Sequence, residues 1–255
     1  MDTIRIFTRC DQREAVGLHV FMQSVIETCS LPVAFTPITQ DFCKLAGGQR
    51  DGTTSFSFAR FLVPALCDFR GWALWCDGVD MLARGDLAEI WQHIWEYDSL
   101  RLAARVCKHD YATRHPVKFK GTEMEAANPA KARHNWSSLI LWNCAALQNR
   151  VLTPDFIRKA SGSELHQFRW LDECPERLGE LPLEWNWLVG EYEPRRDARL
   201  VHFTLGIPGF EHYRDADYAA EWWDTHERAE RGMQIEGGAN RQILAKAVRL
   251  REAMR

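Results

Sequence analysis

Apolar and polar residues alternate along the first forty residues in a way that predicts a strand, a helix and a second strand. Apolar residues dominate Ile4–Thr8, recur at roughly helical spacing between Ala15 and Cys29, and return in Val33–Ile38. Two strands joined by a helix form a βαβ unit, which implies a parallel sheet. Asp11 stands before the helix with Glu14 three residues later, which is the spacing of a capping box.

The rest of the chain continues the same alternation of short strands and helices. Residues 111–133 are the exception, because they are polar and lack periodicity. A loop of this length inside a compact domain is usually a functional cover or disordered, so we expect it near the ligand. Further helices are predicted at about 57–66, 87–95, 154–159, 165–170, 218–223 and 240–254, and further strands at about 72–76, 102–107, 138–142 and 199–203.

Composition narrows the class of protein. The 255 residues are 46% apolar and 26% charged, which suits an ordinary globular protein with a substantial core. The net charge of -3 lacks the basic excess of nucleic-acid-binding proteins, so no nucleic-acid partner is expected. The eight cysteines contain no C-x-x-C pair, which favours a reducing compartment. With neither a signal-peptide pattern nor an apolar run of about 18 residues, we expect a soluble cytoplasmic protein.

The candidate chemistry lies where predicted strands end. The apolar strand that begins at Trp72 ends in Asp77, and Asp80 follows three positions later. Ligands bind at the carboxyl ends of strands in open α/β sheets, and carboxylates there suit a divalent cation. Asp-Gly pairs also form ordinary turns, and spacing alone leaves both interpretations open. Thr8 and His202 end two other predicted strands, and all these residues share one edge if the strands are parallel.

Two carboxylates and one imidazole suit Mn²⁺ or Mg²⁺ bridging a diphosphate, and the imidazole favours Mn²⁺. The alternative for His202 is a buried histidine with a satisfied hydrogen bond. Its position in the same predicted site as Asp77 and Asp80 favours the metal.

These segments resemble the nucleotide-sugar glycosyltransferases of GT-A fold, most closely the retaining enzymes of the family 8 type. Asp77-Gly-Val-Asp80 resembles the metal-binding Asp-x-Asp motif with one extra residue, and His202-Phe-Thr-x-Gly206 resembles the histidine segment that completes the metal site. The resemblance covers roughly residues 4–223. It implies that Asp77, Asp80 and His202 hold the metal, with Asp80 the more secure of the two carboxylates.

The resemblance also implies a single α/β domain over residues 1–255, with a mixed, mainly parallel sheet flanked by helices. Residues 225–255 would be a helical C-terminal extension. The family's Lys-Pro-Trp after the histidine is missing, so another lysine must bind phosphate; Lys108, Lys118 and Lys120 are candidates. The implied donor-binding residues come from the matched segments and are Thr8, Arg9, Asp11, Ser57, Arg60, Trp136, Ser137, Ser138, Asn186 and Gly206.

The implied activity is metal-dependent transfer of a hexose from a UDP-sugar, with retention, to a glycan, lipid-linked or protein acceptor. Gln167 matches the family's side chain on the far face of the sugar, and with Asp80 it forms the implied catalytic pair; a helix-surface glutamine is the alternative. Two other hypotheses remain open. One is a non-catalytic nucleotide-sugar binder whose lengthened Asp motif has lost metal geometry. The other is a metal-dependent phosphohydrolase, which ranks last because no paired nucleophile and base is found.

The predicted C-terminal helix is basic, with cations between Arg241 and Arg255. Such a helix can lie peripherally on the anionic inner face of a membrane. It can also be a solvated helix end whose cations complement the helix dipole, and we favour this second interpretation.

Overall fold

A computed structural model of the chain describes residues 3–46 and 55–233. The predicted helix at about 240–254, with its basic residues, lies outside these ranges. The strands are β1 (Ile4–Cys10), β2 (Val33–Thr39), β3 (Trp72–Cys76), β4 (Met81–Ala83), β5 (Ala104–Val106), β6 (Val117–Lys118), β7 (Ala126–Ala127), β8 (Leu139–Asn143), β9 (Leu178–Glu180), β10 (Trp187–Leu188) and β11 (Leu200–His202).

The main sheet has six strands in the order β2-β1-β3-β8-β5-β9. Five of them run in one direction, and β8 runs antiparallel to both of its neighbours. A smaller sheet has the order β10-β11-β4, and β6 and β7 form a hairpin. The predicted α/β class with a mixed, mainly parallel sheet is therefore confirmed.

The helices flank the main sheet and are mostly short. The predicted helix at 57–66 is a 3-10 turn that leads into a single α-helical turn. The helix predicted at 165–170 instead covers Gly162–His166, and it begins earlier because Ser161 caps its N-terminus by accepting the Glu164 amide at 3.0 Å. Among the described residues, none of the helices is both long and apolar enough to cross a bilayer. The α-helices are α1 (Ala15–Thr28), α2 (Gln40–Ala46), α3 (Val63–Leu66), α4 (Ala88–Gln92), α5 (Pro154–Lys159), α6 (Gly162–His166) and α7 (Ala219–Met233).

Strands β1 and β3 form the centre of the molecule because both of their faces are buried. Ile6 pairs with Leu74 and contributes to the core on one side, whereas Phe7 pairs with Trp75 and contributes to the core on the other. Side chains of a strand alternate between its faces, so apolar residues at consecutive positions predict a strand covered on both sides. The buried centre fixes the position of the carboxyl ends of both strands.

The second sheet brings His202 to this edge by a route that the sequence did not indicate. Strand β11 pairs with β4 rather than with the main sheet, and the pairing is antiparallel, with His202 opposite Met81. The Phe203 amide donates to the Asp80 carbonyl at 2.7 Å. The predicted strand at 199–203 is present, but the condition that the strands are parallel holds only toward β10 and not toward β4; His202 nevertheless reaches the two aspartates.

The polar segment 111–133 is ordered by contacts to residues 189–206. It contains the hairpin of β6 and β7, and the Phe119 amide donates to the Leu205 carbonyl at 2.6 Å. Thr113 and the Arg114 amide also donate to the buried carboxylate of Glu191. These contacts make the segment a wall beside β11.

Candidate metal and nucleotide site

The turn from Asp77 to Asp80 follows β3 directly and is built around Gly78. Gly78 has a φ of +70°, a conformation that glycine adopts without steric cost. A Cβ at Gly78 would also lie only 1.9 Å from Thr8 Oγ1. The turn is closed by the Met81 amide, which donates to the Gly78 carbonyl at 2.8 Å. The extra residue of the Asp-x-x-Asp motif is thus absorbed by the turn.

The turn places both carboxylates beside the imidazole. One ligand atom from each of Asp77, Asp80 and His202 lies within 4.8 Å of the other two, and all three residues are buried. Carboxylate oxygen and imidazole nitrogen are common ligands for divalent metals such as Mn²⁺. The predicted convergence of these three residues is therefore confirmed, whereas their binding of a metal stays a prediction.

Each carboxylate is held by a buried arginine. Asp80 Oδ2 accepts from Arg9 Nη2 at 2.8 Å, and Asp77 Oδ1 lies 3.0 Å from Arg60 Nη2. Asp77 Oδ1 also accepts from Trp75 Nε1 at 3.0 Å. Asp80 Oδ1 is buried and has no hydrogen-bond partner in residues 3–46 and 55–233. Because buried polar atoms are normally paired, this oxygen fits a site that a cation completes.

The site contains more charge than the three candidate ligands. Burial alone would raise the pKa of Asp80, but Arg9 and His202 outweigh burial and hold this pKa well below its usual range. Burial raises the pKa of Glu14 to about 7, although Arg9 opposes the rise. Glu14 lies 3.0 Å from Arg9 Nη2, so one guanidinium links two buried carboxylates.

The capping box predicted at the start of α1 is therefore only half formed. Asp11 caps the turn by accepting the Arg13 amide at 3.0 Å, but the Glu14 side chain turns inward to Arg9. A buried carboxylate needs a charged or hydrogen-bonding partner, and Arg9 supplies it.

Lys118 brings a third cation to the site. Its Nζ donates to Thr204 Oγ1 at 2.8 Å, two residues after His202 in the chain. Burial lowers the pKa of Lys118 to about 8, and Asp80 and Asp77 oppose this effect. The other two candidates for the missing lysine are Lys120, which is exposed, and Lys108, which is half-buried.

Several predicted donor-binding residues border the Asp77–Asp80 turn. Thr8 Oγ1 donates to the Asp77 carbonyl at 3.2 Å, and the Asp77 amide donates to the Ser138 carbonyl at 2.9 Å. Arg60 Nη1 donates to the Ser137 carbonyl at 2.7 Å. The structure therefore brings together the end of β1, the turn after β3 and the residues before β8.

The remaining predicted residues have other contacts. The Asp11 carboxylate pairs with the Arg13 guanidinium, and Ser57 ends a 3-10 turn. Trp136 Nε1 donates to a backbone carbonyl, Gly206 packs against a tyrosine ring, and Gln167 follows α6 and accepts from a neighbouring arginine. Their roles toward a donor stay predictions.

Two histidines, one buried and one half-buried, escaped the sequence interpretation. His109 follows β5 at the same edge of the sheet as Asp77, and burial lowers its pKa to about 3. His166 Nδ1 lies 2.7 Å from Ser137 Oγ, and burial likewise lowers its pKa to about 3. His109 had a signal in the sequence, since it stands in a polar triplet at the end of a predicted strand.

Solved structures of glycosyltransferases share this fold at low sequence identity. The bifunctional glycosyltransferase WbbM superimposes with a TM-score of 0.56 at 11% identity, over 88% of this chain and 51% of its own. The glycosyltransferase GlyE of Streptococcus pneumoniae gives 0.52 at 12%, over 88% and 60%. An active-site mutant of LgtC gives 0.51 at 11%, over 88% and 96%. The chain thus spans about half of WbbM and nearly all of LgtC, and it has the GT-A glycosyltransferase fold.

Sequence comparison identifies a closer relative. No model of a known protein family matches the chain. Protein CDI of Arabidopsis thaliana is 34% identical over 234 residues, which cover 88% of this chain and 86% of the relative. Identity at this level over nearly the whole of both chains shows common descent, and the chain belongs to the family of protein CDI.

Proposed function

We propose that the protein is a metal-dependent retaining glycosyltransferase that transfers a hexose from a UDP-sugar to a glycan, lipid-linked or protein acceptor. The observation that carries the proposal is the group of Asp77, Asp80 and His202 at the strand ends of a GT-A fold. In a fold used by glycosyltransferases, this group is suited to bind a divalent cation and, through it, a diphosphate.

The charges around this group suit a diphosphate leaving group. Asp77, Asp80 and His202 would hold Mn²⁺ or Mg²⁺, which when bound would offset negative charge on the departing diphosphate. Arg9, Arg60 and Lys118 surround the same turn as further cations. Fixed cations aimed at developing charge stabilise a transition state because they need no reorganisation.

Some of the basic residues orient the metal ligands, and others are available to bind the donor. Arg9 and Arg60 orient the two carboxylates, and both arginines are nine-tenths buried or more. Lys118 belongs to the segment 111–133 and interacts with Asp77 and Asp80, so its ammonium group can donate to a phosphate oxygen in place of the missing lysine. Gln167 is proposed to face the sugar from the opposite side, as the resemblance implies.

Calorimetric titration with UDP, in the presence and absence of Mn²⁺, tests the proposal. We expect binding that requires the metal, because the diphosphate would be held largely through it. Binding of equal affinity without metal would instead support a nucleotide-sugar binder that relies on Arg9, Arg60 and Lys118. The absence of binding under both conditions would contradict the proposal.

Replacing Lys118 with Met is expected to weaken metal-dependent UDP binding by about 10–100-fold, because a hydrogen bond to a charged group contributes roughly 1.5–3 kcal/mol. The affinity for Mn²⁺ alone should not fall, since Lys118 repels a cation. Lys120→Met is the matched control, because Lys120 is exposed and two residues away. Equal UDP affinities for the two variants in calorimetry would rule out Lys118 as the phosphate-binding lysine.

A further inference from the structure

A chain of buried hydrogen bonds runs behind His202, away from the two aspartates. His202 Nδ1 lies 3.0 Å from Asn186 Oδ1, and Asn186 Nδ2 lies 3.0 Å from His109 Nε2. His109 Nδ1 in turn lies 2.9 Å from the hydroxyl of Tyr192. Asn186 is fully buried, and His109 and His202 are nearly so. Because these three residues are buried, each hydrogen bond between them needs both its donor and its acceptor from the protein.

The orientation of the Asn186 amide follows from a neighbouring serine. Ser138 Oγ donates to the Asn135 carbonyl at 2.7 Å, so its proton is already used. Asn186 must then donate to Ser138 Oγ, from which it is 2.8 Å away. The Nδ2 group of Asn186 also lies 3.4 Å from the Asn135 carbonyl, which can only accept. These contacts fix the amide nitrogen on this side and the amide oxygen toward His202.

The fixed amide determines the tautomers of both histidines. Asn186 Oδ1 can only accept, so His202 Nδ1 carries a proton. In neutral His202, the lone pair then lies on Nε2, 3.5 Å from Asp80 Oδ2. At the other end, His109 Nε2 accepts from Asn186 Nδ2, so its proton is on Nδ1 and points to Tyr192. The low pKa of His109, about 3 because of burial, keeps this ring neutral.

We propose that Asn186 is a positioning residue that holds His202 in the tautomer with its Nε2 lone pair directed at the metal site, and that Ser138 and His109 hold Asn186 in turn. Metal-binding histidines usually donate their second ring N–H to such a partner, and loss of the partner typically lowers metal affinity 10–100-fold. The inference rests on the metal site of the proposed function. It assigns Asn186 and Ser138 a role behind the ligand rather than against the donor.

The tautomer can be measured directly in the metal-free protein. Long-range proton–nitrogen correlation NMR spectra distinguish the two neutral tautomers and the imidazolium, and a His202→Gln variant assigns the signal among nine histidines. In the neutral ring of wild-type His202, we expect the single proton to be on Nδ1, which faces Asn186 Oδ1. A proton on Nε2 in the wild type would overturn the inference without any further variant.

Variants at Asn186 separate positioning from packing. Asn186→Ala removes the acceptor, so His202 should shift toward the Nε2–H tautomer, which can donate to Asp80, and the affinity for Mn²⁺ alone should fall about 10–100-fold. Asn186→Asp keeps an acceptor for His202 Nδ1–H. It should therefore preserve the tautomer and keep metal affinity within about threefold, a difference of less than 1 kcal/mol.

Asn149 provides the matched control. It is also fully buried, and its Nδ2 donates to the carbonyls of Ala103 and Asn143 at 2.8 and 2.9 Å, near the start of β3 rather than its end. Asn149→Ala should lower thermal stability but leave the His202 tautomer and metal affinity unchanged. If Asn186→Ala behaves like Asn149→Ala, the positioning role is excluded. Because neither readout involves UDP or sugar transfer, a failed UDP titration would leave this result intact.

Discussion

Asp80→Asn is expected to lower the affinity for Mn²⁺ by at least about 100-fold and to abolish metal-dependent UDP binding. Loss of an outer partner alone typically lowers metal affinity about 10–100-fold, and Asp80 is itself a candidate ligand. The amide is neutral, and its NH₂ group would face Arg9 or His202, both of which the carboxylate now contacts. Calorimetry with Mn²⁺ and then with UDP measures both effects.

Asp86→Asn is the matched control for this substitution. Asp86 is also an acidic residue of the segment after β3, but its Oδ1 accepts the amides of Ser30 and Ala88 at 3.0 and 2.9 Å, so it caps a turn. The control should bind Mn²⁺ and UDP as the wild type does. An Asp80→Asn protein that binds UDP with unchanged metal dependence would eliminate Asp80 as a ligand.

His202→Ala should weaken metal binding less than Asp80→Asn, because both carboxylates remain.

The centre of the fold was predictable because local signals and tertiary structure agree there. Strands β1 and β3 are short apolar runs bounded by polar residues, a pattern that is typical of strands buried on both faces. Asp77 and Asp80 follow from the end of β3. Gly78 explains how the lengthened motif still brings both carboxylates together, since it allows a turn that other residues would strain.

The rest of the site depends on contacts between distant segments, which periodicity does not encode. His202 does lie beside the two aspartates, but it arrives on a short strand that pairs antiparallel with β4, which has only three residues. Glu14 carried a local capping signal, but its carboxylate is buried and pairs with Arg9, because a buried charge needs a partner. Lys118 could be proposed only as one of three, since the hairpin that directs its ammonium group to Thr204 lies in a segment without periodicity.

Gly17→Ala is expected to lower both the stability of the protein and its affinity for Mn²⁺. Gly17 lies within α1, where alanine is normally favoured over glycine by up to about 1 kcal/mol. A Cβ at this position, however, would lie 1.9 Å from the Val79 carbonyl oxygen, which is backbone of the turn between Asp77 and Asp80. Overpacking of a core typically costs about 1–3 kcal/mol, so the clash should outweigh the gain in helix propensity.

The turn must move away from α1 to admit the new methyl group, and this shift carries Asp80 away from His202. The free energy of unfolding, measured with urea, and the affinity for Mn²⁺, measured by calorimetry, should therefore fall together. His19→Ala is the control on the same helix, because His19 is exposed and its replacement tests helix propensity alone. It should leave metal affinity unchanged and stability unchanged or slightly higher. A Gly17→Ala protein as stable as the His19→Ala protein, with wild-type metal affinity, would show that the turn does not need the close approach of α1.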